Sequence, residues 1–170
     1  LPSMINAQHG NIVIVSSSIC GGTFLGYASY APTKFALRAL ADTLRNELLG
    51  FNIGVHISFP ADTDTPGFTQ EQLTKPNECK LITPPELYSA ESVAQDLVQR
   101  LKRGDYHILS KNLEANLSLM MTAGIAPRNN TLIDILVAPI LFLVQQCWRI
   151  FNADKIAIKY GQNYLEKQHE

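Results

Sequence analysis

The stretch Ser16-Ser17-Ser18-Ile19-Cys20-Gly21-Gly22-Thr23-Phe24-Leu25-Gly26-Tyr27-Ala28-Ser29-Tyr30-Ala31-Pro32-Thr33-Lys34 joins an apolar strand to an amphipathic helix. Before it, residues 11–15 (NIVIV) are a short β-branched run behind Gly10, which predicts a strand buried on both faces. The serines then stand at the carboxyl end of that strand. From Ser29 onward, Leu37, Leu40, Ala41, Leu44 and Leu48 recur at helical spacing, with Arg38, Asp42, Arg45 and Glu47 turned elsewhere. Tyr30 and Lys34 are four residues apart and share one face of the first helical turns. Pro32 is tolerated there because the first turn has no intrahelical acceptor for its missing N–H.

A phenol ordinarily titrates near about pH 10, and a fixed cation beside it favours the phenolate. A Tyr/Lys pair at this spacing can therefore deliver a proton to a carbonyl oxygen, while a serine hydroxyl at the strand end holds that oxygen. Ser17 stands thirteen residues before Tyr30, with Ser16 as the neighbouring candidate. Taken singly, a Tyr-x-x-x-Lys pattern is an ordinary surface pair, and serines after a strand are caps or turn formers. Strand, serines, Gly-rich connection and Tyr/Lys pair together point to reduction of a ketone, with the hydride supplied from elsewhere.

On these residues the chain resembles the short-chain dehydrogenase/reductase superfamily. The opening Leu1-Pro2-Ser3-Met4 resembles the end of a helix in that family, and Pro60-Ala61-Asp62-Thr63-Asp64-Thr65 stands where a Pro-Gly-x-x-x-Thr segment is usual. The resemblance implies a Rossmann-like, doubly wound parallel α/β sheet with Ser17, Tyr30 and Lys34 as catalytic residues. It also implies that Tyr30, Lys34, Pro60, Asp62 and Thr65 lie along the nicotinamide end of a cofactor. Within the superfamily, residues 62–68 (DTDTPGF), Thr74-Lys75-Pro76, Glu78, Leu81-Ile82 and residues 122–127 (TAGIAP) are similar to the reductases of long-chain 3-keto sphingoid bases. That likeness implies NADPH as cofactor, a long-chain 3-keto sphingoid base as substrate, and an endoplasmic reticulum membrane location facing the cytosol. It further implies pairing of copies through the Tyr/Lys helix. Two other readings are a membrane-associated short-chain reductase of another lipid, retinoid or steroid ketone, and a non-catalytic fragment.

The chain departs from the family at Ala61, and it contains no Gly-x-x-x-Gly-x-Gly or Gly-x-Gly-x-x-Gly loop and no Asn-Asn-Ala-Gly segment. The phosphate-cradling turn such enzymes carry near their amino terminus is missing from this stretch. The expectation is a carboxyl-terminal portion of a longer enzyme, which alone would bind a dinucleotide weakly.

Composition fits a core-forming α/β chain: of 170 residues, 46% are hydrophobic and 17% charged. A net charge of −1 with no basic patch argues against a nucleic-acid partner. Cys20, Cys79 and Cys147 are odd in number and widely separated, which fits a reducing compartment. His9, His56, His107 and His169 are equally scattered, so no metal site is expected.

Residues 1–110 read as the Rossmann portion. Gly50 is the expected C′ residue of the Tyr/Lys helix, and residues 53–59 (IGVHISF) form the next strand. Residues 60–88, punctuated by Pro66, Gly67, Pro76, Pro84 and Pro85, are too long for a simple connector and read as a substrate lid. Ser89 caps a further helix with Val93, Ala94, Leu97, Val98 and Leu101 toward the core, ending at Gly104, and residues 106–109 form the last strand. Residues 111–170 are an apolar helical tail. Its strongest run, Leu132 to Val144, is thirteen residues, against about 20 for a spanning helix. This predicts an interfacial or re-entrant hairpin on a membrane lipid surface, with Trp148-Arg149 at the boundary and a fraying polar end after Asn152.

Overall fold

A computed structural model describes residues 1–82, 86–122 and 129–168. Three parallel strands lie in the order β1 (Gly10–Val15), β2 (Ile53–Phe59), β5 (His107–Leu109). Gly10 pairs with Ile53 and Val15 with Ser58 along one flank of β2, while Ile57 to Phe59 pair with His107 to Leu109 along the other. Parallel neighbours require crossovers, which helices α2 (Ala31–Leu48) and α5 (Ala90–Arg103) supply. β2 is accordingly the buried centre. Among the described residues β1 pairs on one flank, and its residues are intermediate or exposed, Val15 at 50%, which falls short of the expected burial on both faces.

Two apolar clusters hold the sheet. One gathers Cys20, Ala41, Ile57, Phe59, Tyr106 and Leu119, and the other sets Leu48, Ile53 and Val55 against Met4 and Ile5 of α1 (Pro2–Ala7). His56 is structural: Nδ1 lies 2.8 Å from the Asp105 carbonyl and Nε2 3.0 Å from Asn11 Oδ1, bridging β1 to the approach of β5.

The buried stripe of α2 differs from the expected one. It runs through Ala31, Arg38, Ala41 and Leu48, while Leu40 is 47% exposed. Steps of seven, three and seven residues keep that stripe on one helical face, and the guanidinium is admitted because carbonyl and hydroxyl acceptors await it there. The end of α2 differs too. A 3₁₀ turn (Leu49–Phe51) follows, and Asn52, not Gly50, takes the left-handed conformation at φ 54°. Asparagine tolerates that region, and here its side chain also donates to the Gln8 carbonyl at 3.0 Å.

Residues 60–82 and 86–89 contain two strands and two short helices. β3 (Thr63–Asp64) pairs in parallel with β4 (Tyr88–Ser89), and α3 (Pro66–Thr74) and α4 (Asn77–Ile82) lie between them. Pro66 begins α3, where a proline is favoured. Pro84 and Pro85 lie outside the described residues. Ser89 Oγ caps α5 by accepting from Ser92 N, and Gly104 ends it at φ 80°, both as predicted. Val98, expected in the core, is exposed, as is Ala94.

The tail corrects the hairpin expectation. After α6 (Leu113–Met121), the helix α7 (Thr131–Trp148) continues through a π turn (Arg149–Ala153) into α8 (Asp154–Gln168). The Leu132–Val144 run is thus embedded in a longer helix, because the glutamines and Cys147 that follow it continue the helix and Pro139 does not stop it. Residues Thr131–Lys159 form a helix long and apolar enough to cross a membrane, with mean hydropathy 1.7 and 6% of the window buried. The polar end after Asn152 is helical instead of frayed: Asp154 sits in the first turn of α8 and pairs with Arg149 at 3.6 Å. Thr122 of the TAGIAP stretch ends α6; Ala123 to Pro127 lie outside the described residues, as does His169.

Candidate active site

The carboxyl ends of β1 and β2 are laced together where the serines begin. Ser16 N donates to the Ser58 carbonyl at 2.8 Å, and Ser18 N donates to the Pro60 carbonyl at 3.0 Å. Ligands of open parallel sheets bind beyond such strand ends.

The structure separates the two candidate serines. Ser16 is buried, and its hydroxyl donates to the Lys34 carbonyl at 2.9 Å, with Cys20 Sγ 3.3 Å away. It fastens the strand end to α2. Ser17 caps the following 3₁₀ turn (Ser18–Gly21), its Oγ accepting from Ile19 N at 3.3 Å, so its proton remains available to a ligand. Ser17 and Tyr30 line one cavity of about 630 Å³, and Ser16 does not. Ser17→Ala should lower kcat/KM of the whole protein about 10²-fold, with a stability loss of about 1 kcal/mol from the lost cap on the 3₁₀ turn. Ser16→Ala should also cost about 1 kcal/mol of stability by thermal unfolding but reduce kcat/KM less.

Tyr30 stands at the amino end of α2, and its ring lies 5.5 Å from the Lys34 ammonium. Its hydroxyl makes no hydrogen bond among the described residues, and the Lys34 ammonium pairs with no carboxylate there. Both donors are thus uncommitted, a chemistry that fits ribose hydroxyls and a substrate oxygen.

A second tyrosine, unforeseen from the sequence, shares the cavity. The rings of Tyr27 and Tyr30 are 6.1 Å apart, and the Tyr27 hydroxyl donates to Glu71 Oε1 at 3.5 Å. Burial, then Cys79, Glu71 and Asp62, push the Tyr27 phenol far above the usual range, so it stays protonated and does not compete as the acid. Lys75, almost wholly buried, rests over the Tyr27 ring at 5.2 Å and 3.7 Å from Glu71. Burial also raises the Asp62 carboxyl, an effect that Lys75 opposes and Glu71 reinforces. Of the other residues expected near a cofactor, Pro60 follows β2 and accepts from Ser18, and Thr65 Oγ1 caps α3 by accepting from Phe68 N at 3.1 Å. Neither lines the cavity.

The remaining wall carries Glu86 and Glu114 together with Phe24, Leu81, Leu117, Leu141, Val144 and Trp148. Among the described residues four carboxylates line the cavity, counting Asp62 and Glu71, and no lysine, arginine or histidine does. The only sequence hint of Tyr27 was its place in the Gly-rich connection; the acidic residues are scattered and converge only through the fold. Among the described residues no group of three His, Cys, Asp or Glu side chains could hold a metal ion.

Parallel strands with serines at a strand end and a Tyr/Lys helix behind them form a Rossmann-type arrangement, and the chain belongs to the short-chain dehydrogenase family. The short chain dehydrogenase family profile matches residues 1–76. The chain is 44% identical over 148 residues to a 3-ketodihydrosphingosine reductase of Dictyostelium discoideum, covering 85% of this chain and 44% of that protein. It is 36% identical over 162 residues to the Cryptococcus neoformans 3-ketodihydrosphingosine reductase, covering 95% and 48%, and 38% identical over 128 residues to a 3-dehydrosphinganine reductase of Danio rerio, covering 75% and 38%. The chain therefore spans less than half the length of these curated relatives. A solved short chain dehydrogenase/reductase family protein superposes with a TM-score of 0.50 at 26% identity, covering 64% of this chain and 45% of that one.

Proposed function

We propose that the whole protein containing this chain reduces the C3 carbonyl of a long-chain 3-keto sphingoid base to the corresponding 2-amino-1,3-diol, using NADPH. The observation that carries this reading is one cavity lined by Ser17 and Tyr30, by four carboxylates and by the apolar side chains Phe24, Leu81, Leu117, Leu141, Val144 and Trp148. A 2-amino ketone with a long hydrocarbon chain calls for both kinds of lining: carboxylates favour its ammonium, and apolar side chains cover its chain. The names of the relatives support the substrate class.

In this reading Ser17 donates a hydrogen bond to the C3 oxygen, and Tyr30 protonates that oxygen as it gains charge. Lys34, whose ammonium lies 5.5 Å from the Tyr30 ring, binds ribose hydroxyls. The nicotinamide supplies the hydride when bound. The same reading places the protein at the endoplasmic reticulum membrane with its catalytic part toward the cytosol; the apolar Thr131–Lys159 helix supports membrane attachment as such. Exposed Phe35 and Leu40 on α2 suit pairing of copies through that helix.

The amine can be tested separately. With the whole protein in detergent, N-acetylation of the 3-keto sphingoid base should raise KM about tenfold or more, because it removes the charge the carboxylates favour. Equal KM values for the free and acetylated amines would overturn the assignment of the acidic wall.

A further inference from the structure

The tail helix does more than offer an apolar surface. Leu141, Val144, Gln145 and Trp148 recur at intervals of three and four residues and line the same cavity as Ser17 and Tyr30. Leu132, Leu136, Ile140 and Leu143 lie on the opposite side of α7 and are between 64% and 77% exposed. Val144 is 58% and Trp148 38% exposed, so this face of α7 borders the cavity where it is open, while the opposite face points away from it.

Specific contacts hold that wall in place. The Phe24 and Trp148 rings meet edge to face at 5.5 Å, and Gln145 Nε2 donates to Ser118 Oγ at 2.9 Å. Ser118 in turn crowds Gly21 in the turn after Ser17: a Cβ on that glycine would lie 2.8 Å from the Ser118 Cβ. The catalytic turn, α6 and α7 are therefore packed in series. α8 completes the enclosure by packing on α4, whose Leu81 and Ile82 also line the cavity.

We propose that α7 is the chain-length gauge of the active site: Leu141, Val144 and Trp148 receive the hydrocarbon chain of the substrate and lead it from Tyr30 toward the lipid-facing side of the helix. This rests on the proposed reading of the site as one for a long-chain lipid ketone. From position 141 to 148 the helix offers roughly 10 Å of apolar wall, so contacts along it grow with chain length. The catalytic end does not change.

The test uses the whole protein in detergent and measures affinity by calorimetry for short- and long-chain members of a 2-amino-1,3-diol series, the products of the proposed reaction. Val144→Trp should weaken the long-chain member about tenfold more than the short-chain one, because the larger ring takes the space beside α7 that the chain would fill and leaves the head end unchanged. Leu143→Trp, on the lipid-facing side, should leave both unchanged. If Val144→Trp fails to fold, Val144→Ala carries the test and should weaken the long-chain member alone. Equal effects on both lengths, no effect on either, or an equal effect from Leu143→Trp would each overturn the proposal. Kinetics with other long-chain ketones of graded length keep the two ideas apart. Should the wild-type protein reduce those and no sphingoid base, the proposed substrate fails, while the chain-length split is still read on the ketones that turn over.

Discussion

Tyr30→Phe should lower kcat/KM of the whole protein for its ketone substrate by about 10²–10⁴-fold, the range associated with losing a positioned general acid. The substitution is a clean one because nothing structural depends on the hydroxyl. Tyr30 is 42% exposed, its oxygen makes no hydrogen bond among the described residues, and its contacts to Tyr27 and Lys34 are ring contacts that phenylalanine retains. Its backbone groups, which accept from Thr33 and Lys34 and donate to Tyr27, are untouched. The melting temperature should therefore stay within a degree or two, because no buried group changes. A comparable loss of activity on Tyr27→Phe, with Tyr30→Phe active, would contradict this assignment and place the acid on Tyr27.

Arg38→Met carries the largest expected effect on stability. The guanidinium is 7% exposed and joins α2 to the end of α6: Nη2 donates to the Thr122 carbonyl at 2.7 Å and Nη1 to Thr122 Oγ1 at 2.9 Å. Methionine matches much of the length but returns none of these hydrogen bonds. The Cys20 carbonyl keeps a partner in Thr122 Oγ1, 3.1 Å away, so the loss falls on the Thr122 carbonyl and the last turn of α6. Charge-assisted bonds of this kind and the unmet acceptor together amount to about 2–4 kcal/mol, to be read as a shift of the chemical-denaturation midpoint. Since α6 holds α7 through Ser118 and Gln145, the variant should also loosen the apolar wall of the cavity. Unchanged stability would mean that the α2–α6 tie is dispensable.

The same residue shows where the sequence could and could not be read. β2 and the caps of α5 follow directly from local chemistry: a β-branched run, a serine, a glycine in the left-handed region. Arg38 escaped that logic because a charge on a helix reads as solvated unless its acceptors are known, and those acceptors lie on a turn and a helix end 18 and 84 residues away. Leu40 was placed inward for the complementary reason, since apolar character alone cannot show which of two neighbouring stripes meets the sheet. Asn52 replaced Gly50 as the left-handed residue because a 3₁₀ turn extended the helix end. In the site, spacing singles out Ser17, Tyr30 and Lys34, of which Ser17 and Tyr30 line the cavity. The cavity wall was not, because Asp62, Glu71, Glu86, Glu114 and the α7 stripe are brought together only by the packing of the lid and tail on the strand ends.

One product analysis tests the proposed reaction most directly. The whole protein, incubated with a long-chain 3-keto sphingoid base and NADPH, should convert it to the 2-amino-1,3-diol, identified by mass spectrometry of the extracted lipid. Recovery of the 3-keto base unchanged, while a retinoid or steroid ketone is reduced under the same conditions, would contradict it.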